Sequence, residues 1–260
     1  MDRLAAMRSE REACLRFCRQ LTPEQWQAPS AAEGWRIQDV VAHMGGIAHE
    51  FFTPYMAKVI RARSIERYND QTVERRASRG ADEILSEYET WTGRLGRLLA
   101  VANKTPLGKA PFKLAEMGWY PMGLLASAVV FDTHTHLRHD MAAALDAEPP
   151  PTDANRMAAL LEWVFAVMER HPREEMPWLD RPVGLTLTGP GGGTWRIEPL
   201  DGGRLQARAG EVTGVATHIT GSSEDLPRWA TGREPWQKSS LDITGDHDYA
   251  TRFLDTLRII

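Results

Sequence analysis

The side chains best equipped for chemistry in this sequence are histidines. Eight occur, and three of them, His134, His136 and His139, fall within six residues. His136 follows Asp132 by four positions, a spacing that on a helix stacks both side chains on one face with Cβ atoms about 5–6 Å apart. His139 comes three positions later and shares that face, whereas a rotation of about 100° per residue turns His134 away from Asp132. Elsewhere, His43 has Val40 three before it and Ile47 four after it. It therefore belongs to an apolar stripe and points towards whatever that helix packs on. Neutral imidazoles are good ligands for zinc and other transition metals, and two of them with one carboxylate leave a coordination position open, as catalytic sites do. The same residues also fit plainer roles: a core histidine hydrogen-bonded to a neighbour, and a surface ion pair at i, i+4.

Helices must position these groups. The segment from Asp2 to Gln20 carries Leu4, Met7, Cys14, Leu15 and Cys18 at helical intervals. A capping pattern at Thr22-Pro23-Glu24-Gln25 starts a short turn of helix. A long helix is predicted from Arg36 to about Arg63, with bends at Gly45-Gly46 or Pro54. Helical spacing returns over Ala81 to Ala102 and from Pro121 to Leu145, with a loop over Gly108 to Gly118 between them. Four long helices in this order predict a bundle. After three consecutive prolines ending at Pro151, Thr152 is the expected cap of a further helix reaching Arg170. Beyond Pro182 the period changes to two: Leu185 and Leu187, Trp195 and Ile197, Leu205 and Ala207, and Val215 to Ile219 alternate between glycine-containing turns. The expected fold class is α+β, with a helical domain over 1–172 and a small α+β domain over 173–260.

Composition narrows the function classes. Of 260 residues, 31 are Lys or Arg and 35 Asp or Glu, a formal charge of -4. That balance offers no broad basic surface for nucleic acid or anionic lipid. Two cysteines, Cys14 and Cys18, are too few for a disulfide framework, and no apolar run reaches the roughly 18 residues of a membrane span. A soluble, cytoplasmic protein with small-molecule partners is the expectation; we read the cysteines as helix-packing residues.

Longer motifs carry a family resemblance. The run Gly34-Trp35-Arg36-Ile37-Gln38-Asp39-Val40-Val41-Ala42-His43-Met44 resembles the signature of the mycothiol-dependent maleylpyruvate isomerase family, part of the DinB-like superfamily of metal-binding four-helix bundles. Asp132-Thr133-His134-Thr135-His136 through Asp140 is similar to that family's second metal motif. The segment from Leu185, with Thr231-Gly232-Arg233 and Gly245-Asp246, resembles its sterol-carrier-like C-terminal domain. The resemblance implies a divalent metal, zinc by preference, held by His43, Asp132 and His136. The family has Glu at the middle ligand, so Asp132 is one methylene shorter, and His139 is an alternative third ligand. Asp39 is read as a helix N-terminal charge, and Trp35, Trp119 and Tyr120 as candidate pocket walls. The resemblance further implies mycothiol or a similar thiol as cofactor, its thiolate attacking an electrophilic carbon: isomerisation if the adduct rotates and eliminates, transfer if it is the product. Arg233 is the candidate for holding a substrate carboxylate, with a helix C-terminal charge as its plainer role. Two further readings use the same ligands: a non-catalytic small-molecule-binding protein, and a metal-dependent hydrolase.

Overall fold

In a computed structural model, residues 1–170, 176–200, 204–210 and 212–259 are described. The chain divides into two compact units, Asp2–Pro151 and Thr152–Ile260. The boundary expected at 172/173 lies outside the described residues. The helix expected to begin at Thr152 falls in the second unit.

Four long helices make the first unit, and each start has a local cause. Helix α1 (Arg3–Cys18) begins where Asp2 Oδ1 accepts the Leu4 and Ala5 amides. Helix α2 (Pro23–Gln27) has the reciprocal Thr22–Gln25 capping box. In the first turn of helix α3 (Ile37–Glu50), the Asp39 carboxylate accepts from the Arg36 amide and guanidinium. This confirms Asp39 as an N-terminal charge. The predicted long helix ends at Glu50, four residues before Pro54, and α4 (Met56–Arg61) is separate. The helix is continuous through its glycine pair, which serves packing. A Cβ on Gly45 would lie 2.9 Å from Tyr88 Cα, so only hydrogen there lets α3 approach α6 (Ala81–Asn103). Gly46 likewise admits Thr72 of α5 (Ile65–Glu74), a helix capped by Ser64.

The fourth long helix is composite. Helix α7 (Leu125–Thr135) runs into a π-helical segment, His136–Ala142, where the Ala143 amide bonds the Arg138 carbonyl five residues back. Helix α1 packs against α6 and α7, and α3 against α6 and the π segment. The core they close contains Cys14, Cys18, Ile37, Val40, Val41, Met44, Ile84, Tyr88, Leu137 and Met141. Cys14 and Cys18 are fully packed there, with sulfurs 3.9 Å apart. The expected loop before α7 contains a short antiparallel hairpin, β1 (Pro111–Leu114) and β2 (Gly118–Pro121).

The second unit is the small α+β domain. Helix α8 (Ala154–Met168) is capped by Asp153 rather than Thr152. The strands β3 (Val183–Thr188), β4 (Gly193–Pro199), β5 (Leu205–Ala209), β6 (Thr217–Ser222) and β7 (Asp242–Gly245) form one sheet in the order β5-β4-β3-β6-β7. Only β3 and β6 run parallel. Helices α9 (Leu226–Ala230) and α10 (His247–Thr256) complete it. The α+β class expected from the change of hydrophobic period is observed.

Candidate metal centre

The centre lies inside the first unit. Helix α3 presents His43 from its buried face, α7 presents Asp132, and His136 stands where α7 passes into the π segment. Asp132 Oδ1 is 3.4 Å from His43 Nε2 and 3.5 Å from His136 Nε2. One ligand atom from each residue lies within 4.8 Å of the others. Good N–H···O bonds span about 2.7–3.2 Å, so these two contacts are long for hydrogen bonds. They match the edge of a coordination tetrahedron, which is about 3.4 Å for bonds of about 2.1 Å. The donor set, two imidazole nitrogens and one carboxylate oxygen, therefore fits a zinc-sized divalent ion.

Surroundings sharpen the fit. His136 Nδ1 meets Asp140 Oδ2 at 2.7 Å, and Asp140 is wholly buried. A carboxylate behind the far nitrogen directs Nε2 towards Asp132. Trp35 lies over both rings, its centroid 5.2 Å from that of His43 and 6.2 Å from that of His136, and donates Nε1–H to Asp70 Oδ1 at 3.1 Å. Its loop is closed by a bridge between Pro29 and Arg36 and anchored where the Ala31 amide bonds the Asp140 carbonyl at 3.0 Å. Side-chain exposure falls from 38% at Asp132 to 11% at His136 and 5% at His43, so the cluster opens on the Asp132 side.

Electrostatics follow from this packing. Burial alone would favour the neutral acid, yet the two imidazoles hold the Asp132 carboxyl well below the usual carboxylate range. For His136, burial opposes the cation, but the charge and hydrogen bonds of Asp132 and Asp140 prevail and push it up to about 9.

The remaining candidates go elsewhere. His134 points to α1, where Nδ1 meets Glu10 Oε1 at 2.9 Å and Arg138 takes the other Glu10 oxygen at 2.9 Å. The rotation away from Asp132 is thus as expected. His139 stands beside His134, ring centroids 6.2 Å apart, and is not among the clustered ligands. Trp119 is exposed on β2, and Tyr120 is buried with its hydroxyl bonded to the Met117 carbonyl. His49 is partly exposed, bonded to Glu87 and stacked on Trp91. His171 lies outside the described residues. Arg233 belongs to the second unit, exposed just after Gly232 at the end of α9, its amide bonded to the Arg228 carbonyl. Asp70 was not legible as part of the site, since nothing in its spacing ties it to Trp35.

A helical bundle holding a His–Asp–His cluster that could bind a metal, beneath an aromatic side chain, sets the class within which known proteins are compared. Residues 7–126 match the family model described as the mycothiol maleylpyruvate isomerase N-terminal domain. The match includes Trp35, His43 and Asp70 and stops before Asp132. The chain is 26% identical over 268 residues to an uncharacterized protein of Mycobacterium tuberculosis, covering 96% of this chain and 92% of that one. The crystal structure of the mycothiol-dependent maleylpyruvate isomerase superposes with a TM-score of 0.57 at 15% identity, covering 93% of this chain and 91% of that chain. A mutant of that isomerase gives 0.52, also at 15% identity, over 89% and 88%. The match over residues 7–126 and the shared fold agree with the resemblance carried by the sequence motifs. Among the described residues, no helix is long and apolar enough to cross a membrane.

Proposed function

We propose that this protein is a metal-dependent enzyme that uses a low-molecular-weight thiol, mycothiol or a similar one, to isomerise or thiolate a small electrophile. The observation that supports this most is the spacing of Asp132 from His43 and His136, 3.4 and 3.5 Å, with Asp140 behind His136. His43, Asp132 and His136 would hold the divalent ion, for which zinc is our choice. A divalent cation supplies, when bound, the positive charge that keeps a thiol deprotonated near neutral pH.

The side chains divide the remaining work. Asp132, the most exposed of the three, lies where a thiol would approach. One carboxylate against a divalent charge leaves a net positive centre suited to an anionic sulfur. Trp35, laid over both imidazoles, excludes water from that side of the cluster and so strengthens electrostatics within it. Arg233 takes the role of holding a substrate carboxylate, on the strength of the sequence resemblance. A small anionic substrate is consistent with a protein that has no broad basic surface.

The test is a turnover screen of zinc-loaded protein against electrophilic substrates with and without added mycothiol or an analogous thiol. Thiol-dependent turnover that disappears in His43→Ala, and whose KM for anionic substrates rises in Arg233→Ala, is expected. Turnover independent of thiol would overturn the proposal in favour of hydrolysis by the same ligands. Tight small-molecule binding without any turnover would overturn it in favour of a binding protein.

A further inference from the structure

Of the two imidazoles, only His136 has a carboxylate behind it. His43 Nδ1 is buried and meets no hydrogen-bond partner among the described residues. His136 Nδ1 faces Asp140 Oδ2 at 2.7 Å. Asp140 has no exposed surface, so its carboxylate cannot rely on water and its geometry is set by the protein. Two features fix it. It sits within the π-helical segment, four residues after His136. Its own carbonyl is engaged by the Ala31 amide, 3.0 Å away, at the base of the loop that carries Trp35. The backbone is therefore held on one side and the side chain reaches His136 on the other.

The consequence is a matter of tautomers. A neutral imidazole carries one proton, and the nitrogen that donates to a carboxylate leaves the other free as a ligand. With Asp140 accepting from Nδ1, the Nε2 lone pair of His136 is directed at the space shared with Asp132 and His43. His43 receives no such instruction and must choose its tautomer by metal binding alone.

We propose that Asp140 is the positioning residue of the centre, fixing the tautomer and ring orientation of His136 while touching neither metal nor substrate. This rests on the metal reading given above. Asp140→Asn keeps the volume and one acceptor oxygen but removes the charge, and Asp140→Ala removes both.

The experiment is cobalt(II) titration of each full-length protein by competition with a chelator, with the visible spectrum of the bound ion recorded alongside thermal melting of the metal-free protein. Affinity is expected to fall roughly 10- to 100-fold in the Ala variant and by less in the Asn variant, as removal of such partners commonly does. The bound spectrum should change in both, and the metal-free Asn variant should melt close to the wild type. Long-range proton–nitrogen NMR of the histidine rings in zinc-loaded wild type needs no variant: it should show His136 protonated at Nδ1. Wild-type affinity and an unchanged spectrum in the Asn and Ala variants would overturn the assignment, as would a His136 protonated at Nε2. If the wild type takes up no cobalt at all, the metal reading itself fails, which is a distinct result.

Discussion

Asp132 Oδ1 stands 3.4 Å from His43 Nε2, although 89 residues separate the two in sequence. The helices carrying them are brought together by packing that is not itself chemical: Val40, Val41 and Met44 of α3 share one core with Leu137 and Met141 of the π segment. If the pair serves as two ligands of one ion, the chemistry of the side chains should matter more than their bulk. His43→Ala and His136→Ala are expected to lose metal binding while keeping the helical circular dichroism of the bundle. Asp132→Asn, close in size but uncharged, should weaken binding at least about tenfold, and Asp132→Glu should retain it, since glutamate also binds zinc through carboxylate oxygen. Isothermal titration with zinc reads all four.

The approach of α3 to α6 sets the frame of the centre. Gly45→Ala would place a methyl 2.9 Å from the Tyr88 main chain, where no flexible side chain can yield. Helix propensity favours alanine by about 1 kcal/mol. Steric pressure at a backbone contact should outweigh it, giving a net loss of about 1–3 kcal/mol in urea unfolding. A stabilised variant would show that the helices can part without cost.

Acid should unfold the bundle through a second buried cluster. The side chains of Glu50 and Glu87 are each 5% exposed or less and are bonded by Arg76, with Arg75 on Glu50 and Arg79 on Glu87. Burial by itself would raise both carboxyls, but Tyr68 and the arginines at Glu50, and Arg76 with His49 at Glu87, hold both below the ordinary value of 4.5. A depressed folded value means that the unfolded chain binds protons first. The stabilisation is therefore complete above about pH 4.5 and is lost as pH falls through the lower folded values. Arg76→Met, which strands buried carboxylates, should cost about 3–5 kcal/mol at pH 7 and flatten the acid limb of a pH–stability curve. An unchanged acid limb would remove this cluster from the account.

Much of the centre was legible because it depends on periodicity. Asp132 and His136 share a helix face by simple i, i+4 spacing, and His43 lies on an apolar stripe, so both sides of the cluster follow from local pattern. The boundaries of the elements did not follow so readily. Ser64 starts a helix in a stretch with too few apolar residues to reveal a stripe, and that helix supplies Asp70 to Trp35. Gly45 and Gly46 suggested a bend, whereas their lack of side chains is used for close packing of neighbours distant in sequence. The π-helical turn is likewise invisible to a period of 3.6, because its cost is met by tertiary contacts such as Ala31 to Asp140.

The most direct test of the central claim is the metal content and zinc response of the purified full-length protein. One divalent ion per chain is expected, with a rise in thermal stability on adding zinc to the metal-free form. At free zinc about 1,000 times its dissociation constant the gain should be near 4 kcal/mol. Both effects should be absent in the His43→Ala, His136→Ala double variant. Protein that carries no metal as purified and gains no stability from zinc would contradict the account.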